Sequence, residues 1–149
     1  DVQIDLNVTS YIPDEYISDS SQKIEIYQKI ALCKTEDDIQ NIIDEIIDRF
    51  GDMPKVIENL LEIARIKILC KKLYISKVSS KNDKVVFTFE KNDTGMDVSE
   101  LVKKYGTQIK FSAGIKPSIT LKVDISDEKK LLKNVKDFLM CQIKDKEIV

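Results

Sequence analysis

The segment TEDDIQNIIDEIIDRFG, residues 35–51, constrains the fold more than any other part of the sequence. Thr35 and Asp38 have the spacing of a capping box, in which each side chain accepts the other's backbone N–H, and Gly51 is placed to end the helix. The segment therefore predicts an amphipathic helix that must bury one face against other elements. The apolar residues at the spacing of that face are Ile39, Ile42, Ile43, Ile46, Ile47 and Phe50.

The flanking segments supply elements against which this helix can pack. Apolar and polar residues alternate in VQIDLNVTSYIP, which predicts a strand that ends at Pro13. A helix capped by Asp19 or Ser20 follows. Pro54 begins a third helix over about residues 54–73, which is apolar on more than one side. The apolar stripe predicted for the first of these helices runs through Ile24, Tyr27, Ile30 and Ala31.

After Leu73, strand patterns replace helical ones. The segment LYISKVSSKNDKVVFTFE predicts two strands joined by a hairpin at about residues 80–83, and QIKFSAGIKPSITLKV predicts two more around a turn at 114–117. Between them, Asp97 and Gly106 bound a short predicted helix. Ser126 is the predicted cap of a final amphipathic helix. The core residues predicted for that helix are Leu131, Leu132, Val135, Phe138, Leu139 and Ile143.

These elements predict an α+β fold with an N-terminal strand and helical subdomain, a mostly antiparallel sheet and a C-terminal amphipathic helix. A chain of 149 residues is long enough to bury a core of its own. We therefore expect a single domain over residues 1–149, mainly helical over 1–73 and mainly strand over 74–149 apart from the last helix.

Missing residue types and motifs limit the chemistry. The chain has no histidine, the commonest general base and metal ligand, and no G-x-x-x-x-G-K-[ST], G-x-G-x-x-G or G-x-S-x-G motif. We therefore expect no enzyme activity, no catalytic residue, no metal site and no cofactor in this segment. Cys33, Cys70 and Cys141 fit no zinc spacing and are predicted to be small buried hydrophobes. No membrane-spanning or signal pattern is present, and a cytoplasmic location is expected.

The charge is distributed unevenly along the chain. Residues 1–62 carry 15 acids and 5 bases, a net charge of −10, whereas residues 63–149 carry 11 acids and 19 bases, a net charge of +8. One interpretation is that the two halves attract each other within one fold. The other is that the acidic half meets a basic partner. The basic half is a weaker nucleic-acid candidate, because its lysines are scattered in the sequence and no aromatic-lined strand accompanies them.

A helical wheel of residues 35–50 places the acids away from the apolar stripe. Asp48 lies opposite the stripe, Asp37 and Asp44 lie nearby, and Glu45 lies at the shoulder. Catalysis would need carboxylates in a desolvated cleft, and metal binding would need convergent oxygens, and an exposed helix face supplies neither. Two interpretations remain, a solvated helix face and a docking face for basic side chains.

Three stretches in order resemble the C-terminal domain of the bacterial transcription-repair coupling factors, the Mfd family. They are IDLNVTSYIPDEYI, IYQKIALCKTEDDIQNIIDEIIDRFGDMP and LLEIARIKILCKKLYI. The resemblance covers nearly the whole chain and is most specific from Ile4 to about Ile75. From Lys77 onward the strands follow in the same order without a diagnostic motif.

The resemblance implies a regulatory role. The family's full-length protein is a DNA-translocating ATPase that displaces stalled RNA polymerase and recruits excision-repair proteins, and its motor motifs are absent here. Its C-terminal domain is expected to pack on the N-terminal UvrB-like module of the same protein and to mask the surface that UvrA would bind. The family's docking acids match Glu45 and Asp48, and Asp44 and Asp37 lie beside them. Self-association of the isolated domain through its exposed docking face is left open, and no membrane partner is implied.

Two alternatives accompany this interpretation. The first is a nucleic-acid-binding accessory module that uses the basic half, in particular the lysines of the last helix, which are Lys129, Lys130, Lys133 and Lys136. The second concerns Ile12 and Tyr16, which are either apolar docking residues or parts of the core.

Overall fold

The computed structural model describes residues 1–91, 97–124 and 126–147, and for residues 144–147 it describes the backbone alone. The chain forms two compact units, one of Val8–Ile68 and one of Asp1–Asn7 with Leu69–Val149. We call them the helical unit and the sheet unit. Together they hold helices and a mixed sheet in the predicted order, so the predicted α+β fold is confirmed. No helix in the described ranges is long and apolar enough to cross a bilayer.

The helical unit contains α1 (Ser20–Ala31), α2 (Glu36–Phe50) and most of α3 (Lys55–Lys72). The Asp19 carboxylate caps α1, and Thr35 and Asp38 form the predicted capping box at the start of α2. Gly51 ends α2 with φ +89°, a conformation that residues with a Cβ rarely adopt. The buried core of this unit consists of Ile12, Ile17, Ile26, Ile30, Ile39, Ile42, Ile46, Ile57, Leu61 and Ala64.

The stripe predicted for α1 is wrong in part. Ile26 and Ile30, one turn apart, are buried, whereas Ile24 is 57% exposed and Ala31 is exposed. Tyr27 is also exposed, at 38%, and its hydroxyl accepts the Ile12 N–H at 2.8 Å. Ile47 of α2 also departs from prediction, with 43% of its surface exposed. Apolar character alone does not distinguish these positions, since several isoleucines compete for one narrow face.

The sheet unit contains five strands in the order β1-β2-β3-β5-β4. They are β1 (Gln3–Asp5), β2 (Ile75–Lys81), β3 (Lys84–Phe89), β4 (Ile109–Ser112) and β5 (Ser118–Lys122). The β1–β2 pair is parallel and the other pairs are antiparallel. The predicted hairpin between β2 and β3 turns at Asn82, whose φ of +57° suits a short polar side chain.

Two helices complete the sheet unit, α4 (Val98–Tyr105) and α5 (Glu128–Glu147). All six apolar residues predicted for the core face of α5 are buried, and Phe138 stacks on Phe87 of β3 with ring centroids 4.5 Å apart. The predicted cap Ser126 is wrong, because its hydroxyl donates to Asp124 instead. Asp127 is the residue whose carboxylate accepts the N–H groups of Lys129 and Lys130 at the start of the helix.

Adjacent isoleucines on α2 give a test of this packing. Ile46→Ala should lower the free energy of unfolding by about 2–5 kcal/mol, because Ile46 is fully buried and its loss leaves a cavity. Ile47→Ala, the matched control at the half-exposed neighbouring position, should change it by only about 0.5 kcal/mol. Urea unfolding followed by circular dichroism measures both. Equal losses of unfolding free energy in the two variants would contradict the placement of Ile46 on the buried side of α2 and of Ile47 on the exposed side.

Candidate protein-docking site

The predicted docking acids lie on the solvent side of α2. Asp37, Asp44 and Asp48 are exposed and Glu45 is partly buried, in agreement with the helical wheel. The reason is geometric, because α2 turns Ile39, Ile42 and Ile46 into the core and its helical period then places the three aspartates on the opposite side and Glu45 at the shoulder. We call these four acids the α2 acidic face.

Glu45 belongs to a closed network of four charged side chains from α1 and α2. The Lys29 Nζ atom lies 2.8 Å from Glu45 Oε2 and 3.2 Å from Glu25 Oε1. The Arg49 Nη1 atom lies 2.7 Å from Glu45 Oε2 and 2.9 Å from Glu25 Oε1. Each charge therefore has two partners of opposite sign. We call these four residues the α1–α2 charge ring.

The charge ring shifts the acidity of its members. Hydrogen bonds from Lys29 and then Arg49 lower the pKa of Glu45, and those from Arg49 and then Lys29 lower the pKa of Glu25. The same contacts raise the pKa values of Lys29 and Arg49. A carboxyl whose pKa is lowered in this way holds no proton near neutral pH, so this arrangement favours a fixed surface charge over general acid catalysis.

Three residues of the tetrapeptide Asp48–Gly51 contact other parts of the helical unit through ion pairs, ring packing or a hydrogen bond, and Asp48 is the exception. The Arg49 guanidinium lies 4.9 Å above the Phe50 ring, and Phe50 packs against Tyr16 with centroids 6.0 Å apart. The Tyr16 hydroxyl donates to the Gly51 carbonyl at the end of α2. Within the described residues, the Asp48 side chain forms no ion pair or hydrogen bond. Asp48 is therefore the member of this tetrapeptide that remains available for a partner.

The remaining predicted residues fall into two groups. Asp44 accepts a hydrogen bond from Gln40 Nε2 at 3.0 Å, whereas Asp37 has no polar side-chain contact in the described part of the chain. Ile12 is 3% exposed and belongs to the core, and Tyr16 packs against that core, so both residues have structural roles. The docking alternative for Ile12 is therefore wrong.

Sequence reasoning missed Glu25 and Lys29 as neighbours of the α2 acidic face. The Glu45–Arg49 pair has the i, i+4 spacing of one helix and could have been found from the sequence. The contacts to α1 join residues 16 and 24 positions apart, and these depend on how the two helices pack. No local spacing rule predicts them.

The sheet unit contains an open cavity of about 1000 Å³ whose lining includes Lys104, Tyr105, Asp124, Asp137 and Cys141. Burial raises the pKa of Tyr105 to about 12, which makes its hydroxyl a poor acid. Among the described residues, no three cysteine or carboxylate groups converge as metal ligands.

The three cysteines are free thiols. Cys70 is fully buried, as predicted, and burial raises its pKa to about 12. Cys33 and Cys141 are only partly buried, which corrects the prediction for those two positions. Burial also raises the pKa of Cys33, which disfavours the reactive thiolate form.

Comparison with known sequences gives consistent matches. The chain matches the family model described as TRCF domain over residues 6–107. It is 40% identical over 115 residues to the transcription-repair-coupling factor of Rickettsia typhi, covering 77% of this chain and 10% of that protein. It is 33% identical over 145 residues to the one from Staphylococcus haemolyticus, covering 95% of this chain and 12% of that protein. The chain therefore spans about a tenth of the length of these relatives.

A solved structure shares the whole fold. It is described as the crystal structure of the C-terminal domain of transcription-repair coupling factor and superposes with a TM-score of 0.83 at 27% identity. The match covers 98% of this chain and 95% of that one.

The charge ring predicts a pH dependence of stability. The folded-state pKa values of Glu25 and Glu45 lie below the unfolded value of about 4.3. The stability from the ring is therefore complete above that value and is lost as pH falls through the lower folded-state pKa values. The free energy of unfolding should fall more steeply below about pH 4 in the wild type than in Glu25→Gln/Glu45→Gln.

Denaturant unfolding across this pH range at constant ionic strength measures the difference. The control is Glu15→Gln/Glu90→Gln, which removes two exposed carboxylates whose side chains have no ion pair in the described residues. It should keep the wild-type steepness. A ring variant with an unchanged pH profile would contradict the assignment.

Proposed function

This chain belongs to the TRCF domain family and forms the C-terminal domain of a transcription-repair coupling factor, and from that premise we propose that it is a non-catalytic regulatory domain. Its partner in this proposal is the N-terminal UvrB-like module of the same protein. By docking there, the domain masks the surface that UvrA would bind and holds the parent protein in an autoinhibited state. The domain acts in the cytoplasm, in transcription-coupled DNA repair.

The observation that carries this proposal is the exposed carboxylate of Asp48. In the family the residues that match Glu45 and Asp48 face basic side chains of the UvrB-like module. Asp48 projects from α2 without a polar side-chain contact in the described residues, whereas the residues that follow it hold the end of the helix in place. A rigid helix that presents an uncompensated charge favours a basic partner.

Glu45 has a different role in this proposal. Lys29 and Arg49 already compensate its charge, so in the free domain Glu45 mainly links α2 to α1 and adds little uncompensated negative charge to the surface. Glu45 lies about one helical turn from Asp48. An arginine of the partner that binds there can replace Lys29 or Arg49 as the ion-pair partner of the Glu45 carboxylate. Docking therefore exchanges partners at Glu45 and creates a new pair at Asp48.

Weak individual contacts suit a docked state that must be able to open, which we call the clamp. An exposed charge pair contributes about 0–1 kcal/mol. A domain tethered to its partner in one chain works at high effective concentration, so weak pairs suffice to keep it closed. The same weakness lets engagement of RNA polymerase and DNA by other parts of the parent protein open the clamp.

Calorimetric titration of this domain with the separately expressed UvrB-like module tests the proposal. Glu45→Gln/Asp48→Asn should weaken binding by about fivefold to thirtyfold, which corresponds to the loss of two exposed pairs of about 0.5–1 kcal/mol each. Raising the salt concentration should weaken wild-type binding and reduce the difference between the two proteins.

The matched control is again Glu15→Gln/Glu90→Gln, which has the same net charge as the docking variant. It should bind like the wild type. A third variant, Asp48→Asn alone, tests the unpaired carboxylate apart from the charge ring. It should produce at least half of the change in log Kd that the double variant produces. Equal weakening by the control, or wild-type affinity in the docking variant, would move the docking surface away from α2.

A further inference from the structure

One face of the sheet has no buried residue and carries all five lysines of the strands. The register of the strands places buried residues such as Val85, Phe87, Ile119 and Leu121 on one face. The alternate residues lie on the other face, and none of them is buried. We call this second face the outer sheet face. Its residues on β2 to β5 are Lys77, Ser79, Lys81, Lys84, Val86, Thr88, Lys110, Ser112, Ser118, Thr120 and Lys122.

Three lysines on this face stand directly beside one another. Lys81 pairs with Lys84 across β2 and β3, and Lys84 pairs with Lys122 across β3 and β5. Neighbouring strands are about 5 Å apart, so three ammonium groups share one row. Like charges directly opposite each other destabilise a sheet. A row of this kind is unfavourable for folding alone and points to an anionic ligand.

Few acids compensate this charge. Asp83 in the hairpin turn lies 3.8 Å from Lys122, and Asp5 on β1 lies beside Ser79. In the part of the chain that the structure describes, Lys77, Lys81, Lys84 and Lys110 form no ion pair. The outer sheet face therefore carries five lysines against one acid from its own strands and one from the adjoining turn.

The other side chains of the face are also suited to phosphate. Ser79, Thr120 and Lys110 form part of one cross-strand row, and Thr88, Ser118 and Ser112 form part of the next. Serine and threonine hydroxyls and lysine ammonium groups are common donors to the phosphates of nucleic acids. Val86 is the one apolar residue of the face on β2 to β5, and no aromatic side chain is available there to stack on a base.

We propose that the outer sheet face binds the phosphate backbone of duplex nucleic acid without sequence preference. A duplex fits better than a single strand, because its charge density is higher and the face lacks a stacking platform. This site lies in the sheet unit and uses none of the acids of α2. It is also separate from the lysines of α5, which the sequence had suggested for the same kind of ligand.

Fluorescence anisotropy with a short labelled DNA duplex of mixed sequence tests the proposal on the full 149-residue chain. The variant Lys81→Gln/Lys84→Gln/Lys122→Gln removes the lysine row, and the control Lys129→Gln/Lys130→Gln/Lys133→Gln removes the same charge from α5. Wild-type binding should show a slope of about −4 in log K against log salt, because each neutralised phosphate contributes about −0.9. The row variant should bind about tenfold or more weakly with a slope nearer −1.

The control variant should keep wild-type affinity and slope. Because the row variant relieves repulsion between neighbouring lysines, its melting temperature should not fall, which separates loss of binding from loss of fold. An unlabelled duplex should compete better than a single strand of the same sequence.

Four results would each overturn the proposal. They are no duplex binding by the wild type, equal weakening in both variants, weakening in the α5 control alone, and better competition by the single strand. Preferential binding of poly-glutamate that depends on the lysine row would identify an acidic protein as the partner and would likewise overturn it.

Discussion

Burial of isoleucine is the constraint on which the helical unit depends. Eight of the ten residues in its buried core are isoleucines, and each contributes about 1.5–3 kcal/mol when fully removed from water. Since α2 must turn Ile39, Ile42 and Ile46 inward, its helical period fixes Asp37, Asp44 and Asp48 on the opposite side. The α2 acidic face is therefore a consequence of the core. The core does not fix the residue types on that side of α2, and three of its exposed positions carry aspartates.

Local signals in the sequence were sufficient for most of the architecture. The capping box at Thr35, the stop at Gly51 and the hairpin at Asn82 each depend on residues within a few positions of one another. The failures share a different cause. On α1, two overlapping apolar stripes compete, and only packing selects Ile26 over Ile24. At α5, Asp124 engages Ser126 and leaves the capping position to Asp127, a choice between neighbours that composition does not settle.

The candidate sites show the same limit. The outward position of Asp48 follows from a helical wheel, but the charge ring joins two helices and needs their packing. The lysines of the outer sheet face looked scattered because they lie on separate strands, and only the register of β2, β3 and β5 brings Lys81, Lys84 and Lys122 into one row. The uneven charge along the chain thus corresponds to two surfaces of opposite sign, the α2 acidic face in the helical unit and the outer sheet face in the sheet unit. Salt screens the interactions that either surface makes with a charged partner.

The closed form of the charge ring has a consequence for mutational robustness. Glu25, Lys29, Glu45 and Arg49 alternate in sign, and each contacts two of the others. Substitution of any one corner leaves an open chain in which every remaining charge still has a partner of opposite sign. Two substitutions at adjacent corners leave a single pair, whereas two at opposite corners leave like charges facing each other. The ring therefore tolerates substitution at one position at a time, and the order in which such changes accumulate decides which intermediate sequences place like charges beside each other.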